Sequence, residues 1–99
     1  ARADRIAIAE QYFAFTGLGQ VRFECSDGQA MATMRHSHID EGWTKKWGQR
    51  QRPVNYVGCG YVQGAIAAIF YLKNAQTVTV RETQSIVCGA SSSKFEATW

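Results

Sequence analysis

The chain has 99 residues, a formal net charge of +3 and 45% hydrophobic residues. This length allows one domain with a modest core, and no segment is long and apolar enough to span a bilayer. Three cysteines are an odd count, which argues against a disulfide framework, and their spacing contains no C-x-x-C pair. A reducing, cytoplasmic setting fits this pattern best. We therefore expect a cytoplasmic protein with no membrane partner.

Basic residues are scattered except for one cluster, which comprises Lys45, Lys46, Arg50 and Arg52. Such a cluster could meet phosphates or an acidic partner, but a solvated helix end is the favoured explanation. The sequence has no RNP pattern, helix-turn-helix or zinc-finger spacing. We therefore expect no nucleic-acid partner.

The first half of the chain predicts a helix followed by a hairpin. Apolar residues at helical spacing mark a helix over residues 4–15. Strands over residues 18–25 and 29–36 flank Asp27-Gly28, a dipeptide typical of two-residue hairpin turns. Alternation along the second strand places His36 inward with the apolar residues.

The second half predicts two helices and a second hairpin. Ser37 is placed to cap a helix that ends at Gly48, and Pro53 begins a longer one that reaches about residue 72. Glycines 58, 60 and 64 weaken this helix, which predicts close approach to a neighbouring element. Strands follow over residues 77–88 and 94–99.

The order of these elements is αββααββ. Because both hairpins are local, we expect an antiparallel sheet of two β-hairpins with helices packed on one face, which is an α+β fold. We expect residues 1–99 to form a single domain.

Four motifs in the last forty-odd residues carry a family resemblance. They are Pro53-Val54-Asn55, Gly60-Tyr61-Val62-Gln63-Gly64, the stretch from Glu82 to Gly89, and Ser93-Lys94-Phe95. Together they resemble the 4-vinyl reductase domain, a small-molecule-binding module of aromatic-responsive bacterial regulators and tetrapyrrole-pathway proteins. The resemblance implies the same α+β topology. It also implies that the chain is the C-terminal part of a longer protein.

The resemblance places the zinc ligands of that family at Asn55, Glu82, Ser85 and Ser93. Zinc prefers thiolate and imidazole ligands, and three of the four family ligands are replaced. We therefore expect no metal and no cofactor. An alternative is a rebuilt zinc site, whose ligands would be Cys59, Cys88, Glu82 and His36.

The favoured function is binding of a small apolar or aromatic molecule, such as a hydrocarbon, between helices and sheet. Such a site has mostly apolar walls and a few polar anchors. His36 faces inward in the predicted hairpin, and Glu82 lies mid-strand, where a carboxylate needs a polar partner. The predicted ligand-binding residues are His36, Trp43, Asn55, Tyr56, Cys59 and Glu82.

Two other functions stay open. The chain could be an enzyme in which His36 or His38 acts as a base, with Glu82 or Cys88 as acid or nucleophile. It could instead be a dimerisation or assembly module, with a second copy or a missing N-terminal segment as partner. An exposed apolar helix stripe would favour assembly.

Overall fold

A computed structural model describes residues 2–51, 53 and 55–99, so Arg52 of the basic cluster and Val54 of the first motif lie outside the described residues. Helix α1 (Arg2–Phe15) precedes strands β1 (Gly19–Ser26) and β2 (Gln29–Ser37). Helices α2 (His38–Trp47) and α3 (Tyr56–Ile69) follow, and then strands β3 (Thr79–Gln84) and β4 (Ser93–Thr98). The predicted order αββααββ is confirmed. Across the described part of the chain, no helix has the length and apolarity needed to cross a membrane.

Both predicted hairpins are present in one four-stranded antiparallel sheet with the strand order β1-β2-β4-β3. Helices α1 and α3 contact the sheet and each other, and α2 lies against residues 86–88. Burial of apolar side chains between these layers drives the packing. The buried core consists of Phe13, Val21, Phe23, Ala30, Ala32, Met34, Val62, Ile66, Ala67, Ile69, Val78, Phe95 and Ala97. The predicted α+β class is confirmed.

A β-bulge in β2 reverses the side-chain alternation before α2. Gln20 pairs with His36 and Arg22 pairs with Thr33, so β2 carries one residue more than β1 between these pairs. The His36 side chain is 66% exposed as a result, and Ser37 is only 1% exposed. The prediction that His36 points inward is therefore wrong.

Strand β3 is shorter than predicted because the chain changes conformation after Gln84. The register shifts between Glu82 and Gln84, and a 3₁₀ turn at Ile86–Cys88 ends at Gly89, whose φ is +101°. The alternation predicted over residues 77–88 consequently stops at Glu82. Ser85 and Val87 are buried instead of Gln84, which is exposed.

Helix α3 begins later and ends earlier than predicted, since Asn55 is its N-cap and Phe70 its C-cap. At Gly58 an added Cβ would lie 2.7 Å from the Asn55 side chain, which explains the glycine. At Gly60 and Gly64 an added Cβ would meet no atom within 4 Å. The prediction that these two glycines allow close approach of a neighbouring element is therefore wrong.

Helices α1 and α3 leave apolar side chains on the surface. Arg5 Nε of α1 donates to the Ile69 carbonyl at 2.8 Å, so the two helices lie side by side. The large exposed apolar side chains of these helices are Ile8, Tyr12, Phe15, Tyr56 and Val57. Exposed apolar helix residues of this kind are what the assembly hypothesis predicts.

Candidate functional site

The centre of the candidate site is Asp40, a carboxylate with 0% exposure in the first turns of α2. The bulge turns Ser37 inward, and Ser37 Oγ accepts from the Asp40 backbone N–H at 3.3 Å as the helix cap. Asp40 lies one turn beyond this cap, on the same face of the helix. The capping geometry therefore carries the carboxylate into the interior.

Asn55 joins the start of α3 to the start of α2. Its Oδ1 accepts from the Gly58 N–H at 2.8 Å, which caps α3. Its Nδ2 donates to Ser37 Oγ at 3.1 Å and to Asp40 Oδ2 at 3.3 Å. One buried amide thus holds two helix starts together.

Ser93 adds the start of β4 to the same cluster. Its Oγ donates to Asp40 Oδ2 at 2.9 Å and accepts from the Ile86 N–H at 3.0 Å. Hydrogen bonds to an ionised carboxylate are stronger than neutral ones. The cluster therefore fixes the 86–88 turn relative to both helix starts.

Glu82 on β3 faces this cluster and has an unusual pKa. Burial, and then the negative charge of Asp40, raise the pKa of Glu82 from 4.5 to about 7, and polar groups of Ser85, Asn55 and Ser93 only partly offset this. Protonated and ionised Glu82 consequently coexist at neutral pH. A carboxyl group that can hold or release a proton there is a common feature of functional sites.

We expect Glu82→Gln to stabilise the protein at pH 8 and to have little effect near pH 4.5. A raised pKa means that the folded state binds the proton more tightly, so the unfolding free energy of the wild type falls as pH rises from 4.5 to about 7. A Gln side chain does not titrate, so the unfolding free energy of the variant does not fall over this pH range. Because Glu82 is only half-buried, we discount the full shift and expect a gain of roughly 1–2 kcal/mol at pH 8.

Urea unfolding at several pH values in EDTA measures this effect. The exposed Glu96 on β4 provides a control, Glu96→Gln, which should not show the same rise. A stability difference for Glu82→Gln that stays constant from pH 4.5 to pH 8 would contradict the assignment.

Five buried side-chain atoms in the described residues have no hydrogen-bond partner, and all lie on α2 or at the end of β3. Such atoms are rare in native proteins because each loses its contact with water without replacement. We call Asp40 Oδ1, Glu82 Oε2 and Ser85 Oγ the oxygen cluster. We call Trp43 Nε1 and Thr44 Oγ1 the α2 pair.

An open cleft of about 380 Å³ borders two residues of the oxygen cluster, Glu82 and Ser85. Its other lining residues are Gln51, Pro53, Thr83, Gln84, Cys88 and Ala90. The cleft therefore lies beside the cluster, whose partnerless atoms are themselves buried.

The structure brings together part of the predicted ligand-binding set. Asn55 and Glu82 belong to the buried cluster, and Cys59 lies close enough to Glu82 that burial and this carboxylate raise the pKa of its thiol. Trp43 is on the neighbouring turn of α2. Tyr56 is 79% exposed, and His36 faces solvent, so neither joins the cluster.

The predicted catalytic residues fall in two separate places. His36 and His38 are exposed and approach Glu41, with Nδ1 to carboxylate distances of 3.8 Å and 3.6 Å. Glu82 and Cys88 line the cleft described above. The structure therefore places neither histidine beside the acid or the thiol with which it was predicted to act.

The four positions that the family resemblance assigned to zinc are neighbours in space. Asn55 and Ser93 both bond to Asp40, and Ser85 lies beside Glu82. Their side chains offer oxygens and an amide, which do not fit a thiolate-based zinc site.

The alternative was a rebuilt zinc site with Cys59, Cys88, Glu82 and His36 as ligands. Because the His36 side chain faces solvent, this set loses one of its four ligands. Within residues 2–51, 53 and 55–99, no three His, Cys, Asp or Glu side chains group as metal ligands.

Asp40 is the residue of the cluster whose role the sequence concealed. An acid in the first turn of a helix is fully explained by the cap and the helix dipole, so it gave no sign of burial. Thr44 also gave no signal in the sequence. It lies on a helix whose apolar pattern was dominated by Trp43 and Trp47.

No protein-family profile matches the sequence, and no curated protein matches it. The structure does resemble the phenol-responsive sensory domain of the transcription activator PoxR, solved with phenol. The two share a fold. The TM-score is 0.79 over 99% of this chain, at 15% sequence identity. The chain spans 50% of the length of that sensory domain's chain.

Proposed function

We propose that this domain binds a small aromatic molecule that carries a hydroxyl group, at the junction of α2 with residues 85–88. The ring would pack against Trp43. The hydroxyl would accept a hydrogen bond from Trp43 Nε1. Membership of the 4-vinyl reductase family would agree with this role.

The observation that carries the proposal is the partnerless α2 pair. A buried indole N–H usually has an acceptor, because leaving it unbonded costs about 1–3 kcal/mol. A phenolic oxygen supplies the acceptor. An apolar ligand without the hydroxyl would leave the indole N–H unbonded.

One further fact supports this choice of ligand. The structure with the shared fold is that of a phenol-responsive domain solved with phenol. At the junction itself, the segment after α2 is linked to the 86–88 turn by a backbone hydrogen bond, in which the Arg50 N–H donates to the Val87 carbonyl at 2.8 Å.

We expect phenol to raise the melting temperature, and benzene at the same concentration to raise it less. Trp43→Phe keeps an aromatic ring and removes the N–H donor, so it should weaken phenol binding roughly tenfold, as expected for one lost hydrogen bond. Trp47→Phe is the matched control, since Trp47 is one turn further on and 63% exposed. Thermal shift and calorimetric titration measure both effects.

Equal stabilisation by phenol and benzene would contradict the hydroxyl requirement. Equal phenol affinity in Trp43→Phe and Trp47→Phe would remove Trp43 from the site. A wild-type protein that neither compound stabilises at millimolar concentration would overturn the proposed function.

A further inference from the structure

The proposed aromatic ligand gives the atoms of the oxygen cluster no role. Asp40 Oδ1, Glu82 Oε2 and Ser85 Oγ are buried and partnerless, and they come from α2, β3 and the residue before the 86–88 turn. Asp40 is 0% exposed and Ser85 is 2% exposed. Three unbonded oxygens at one place point to a species that oxygen atoms coordinate.

The charge of the cluster is not neutralised by the described protein. None of the ion pairs among the described residues involves Asp40 or Glu82. Among residues 2–51, 53 and 55–99, the donors to Asp40 Oδ2 are neutral, namely Asn55 Nδ2 and Ser93 Oγ. A buried carboxylate beside a second one is costly unless a positive charge or a proton compensates.

We propose that the oxygen cluster binds a hard divalent cation of the Ca²⁺ or Mg²⁺ type. Such ions take carboxylate, hydroxyl and water oxygens, which are the atoms present, whereas zinc favours sulfur and nitrogen.

The surroundings provide both a path and a support for the ion. Glu82 and Ser85 line the open cleft, which is the side from which the cation would approach the buried oxygens. The opposite oxygen of Asp40 is held by Asn55 and Ser93, which orients Oδ1 as outer-shell hydrogen bonds orient metal ligands elsewhere. This inference does not depend on the aromatic ligand, since the α2 pair takes no part in it.

The test is calorimetric titration of EDTA-treated, dialysed protein with Ca²⁺, Mg²⁺, Mn²⁺ and Zn²⁺, each without phenol. We expect one site for the hard cations, with a rise in melting temperature. Glu82→Gln and Ser85→Ala should each weaken binding at least about tenfold. The control Glu96→Gln, at an exposed acid, should bind as the wild type does.

Several results would overturn the cation site. One is the absence of heat and of stabilisation at about 10 mM of any hard cation, which is beyond the weak end of protein calcium sites. Another is unchanged affinity in both Glu82→Gln and Ser85→Ala, with folding verified by circular dichroism. Zn²⁺ binding far tighter than Mn²⁺, and lost on alkylation of Cys59, would assign a thiolate site instead. Phenol binding would be unaffected by these failures.

Discussion

Asn55→Ala is expected to destabilise the protein by about 3 kcal/mol. The variant loses the cap of α3, worth about 1 kcal/mol, and a hydrogen bond to the ionised Asp40, worth about 1.5–3 kcal/mol. Asp40 and Ser37 would stay buried but would each lose the hydrogen bond that Asn55 donates. For a chain of this size the melting temperature should fall by more than about 10 °C.

Asn74→Ala is the matched control. Asn74 also accepts a backbone N–H, that of Gln76 at 2.9 Å, but this cap lies at an exposed turn. Its loss should cost no more than about 1 kcal/mol. Denaturant unfolding of both variants decides the matter, and equal destabilisation would mean that Asn55 acts as an ordinary cap with no role in joining the helices.

Gly19→Ala is expected to destabilise by about 3 kcal/mol or more, and to prevent folding in marginal conditions. Gly19 has φ +139°, a conformation that residues with a Cβ rarely adopt. Its Cβ would lie 2.1 Å from the His36 carbonyl oxygen, which belongs to the backbone of β2. Neither strand can move aside without breaking the β1–β2 pairing.

The control is Gly60→Ala, on the surface of α3. A Cβ there meets no atom within 4 Å, and Ala favours the helix over Gly. This variant should be more stable than the wild type by about 0.5–1 kcal/mol. Thermal unfolding compares the two substitutions, and a Gly19→Ala protein with unchanged melting temperature would refute the steric argument.

The fold was largely predictable because its signals are local. The Asp27-Gly28 turn, the Ser37 cap and the helical periodicity each act within a few residues, so together they predicted αββααββ. The order β1-β2-β4-β3 depends on pairing between distant strands, which these local patterns do not specify. The end of β3 was missed because residues 85–88 keep an alternating pattern although they form a 3₁₀ turn.

The candidate site was predictable only where a polar residue stood out from its pattern. Glu82 lies mid-strand among apolar neighbours, and Asn55 occupies a position marked by the family resemblance. Asp40 has an adequate local explanation as a first-turn acid, and its burial arises from contacts with Asn55 and Ser93. Tertiary contacts of that kind leave no trace in a single sequence.

The bulge in β2 leaves both the identity and the number of residues at this point loosely constrained. Residues 35 and 36 both face solvent, so their identities can change with little cost. Deleting one of them would leave a single exposed residue between Met34 and Ser37, which both face inward, so strict alternation would be restored and Ser37 would stay buried. Asp40 would then keep its contacts with Asn55. Related chains should therefore tolerate substitution here, and also the loss of one residue.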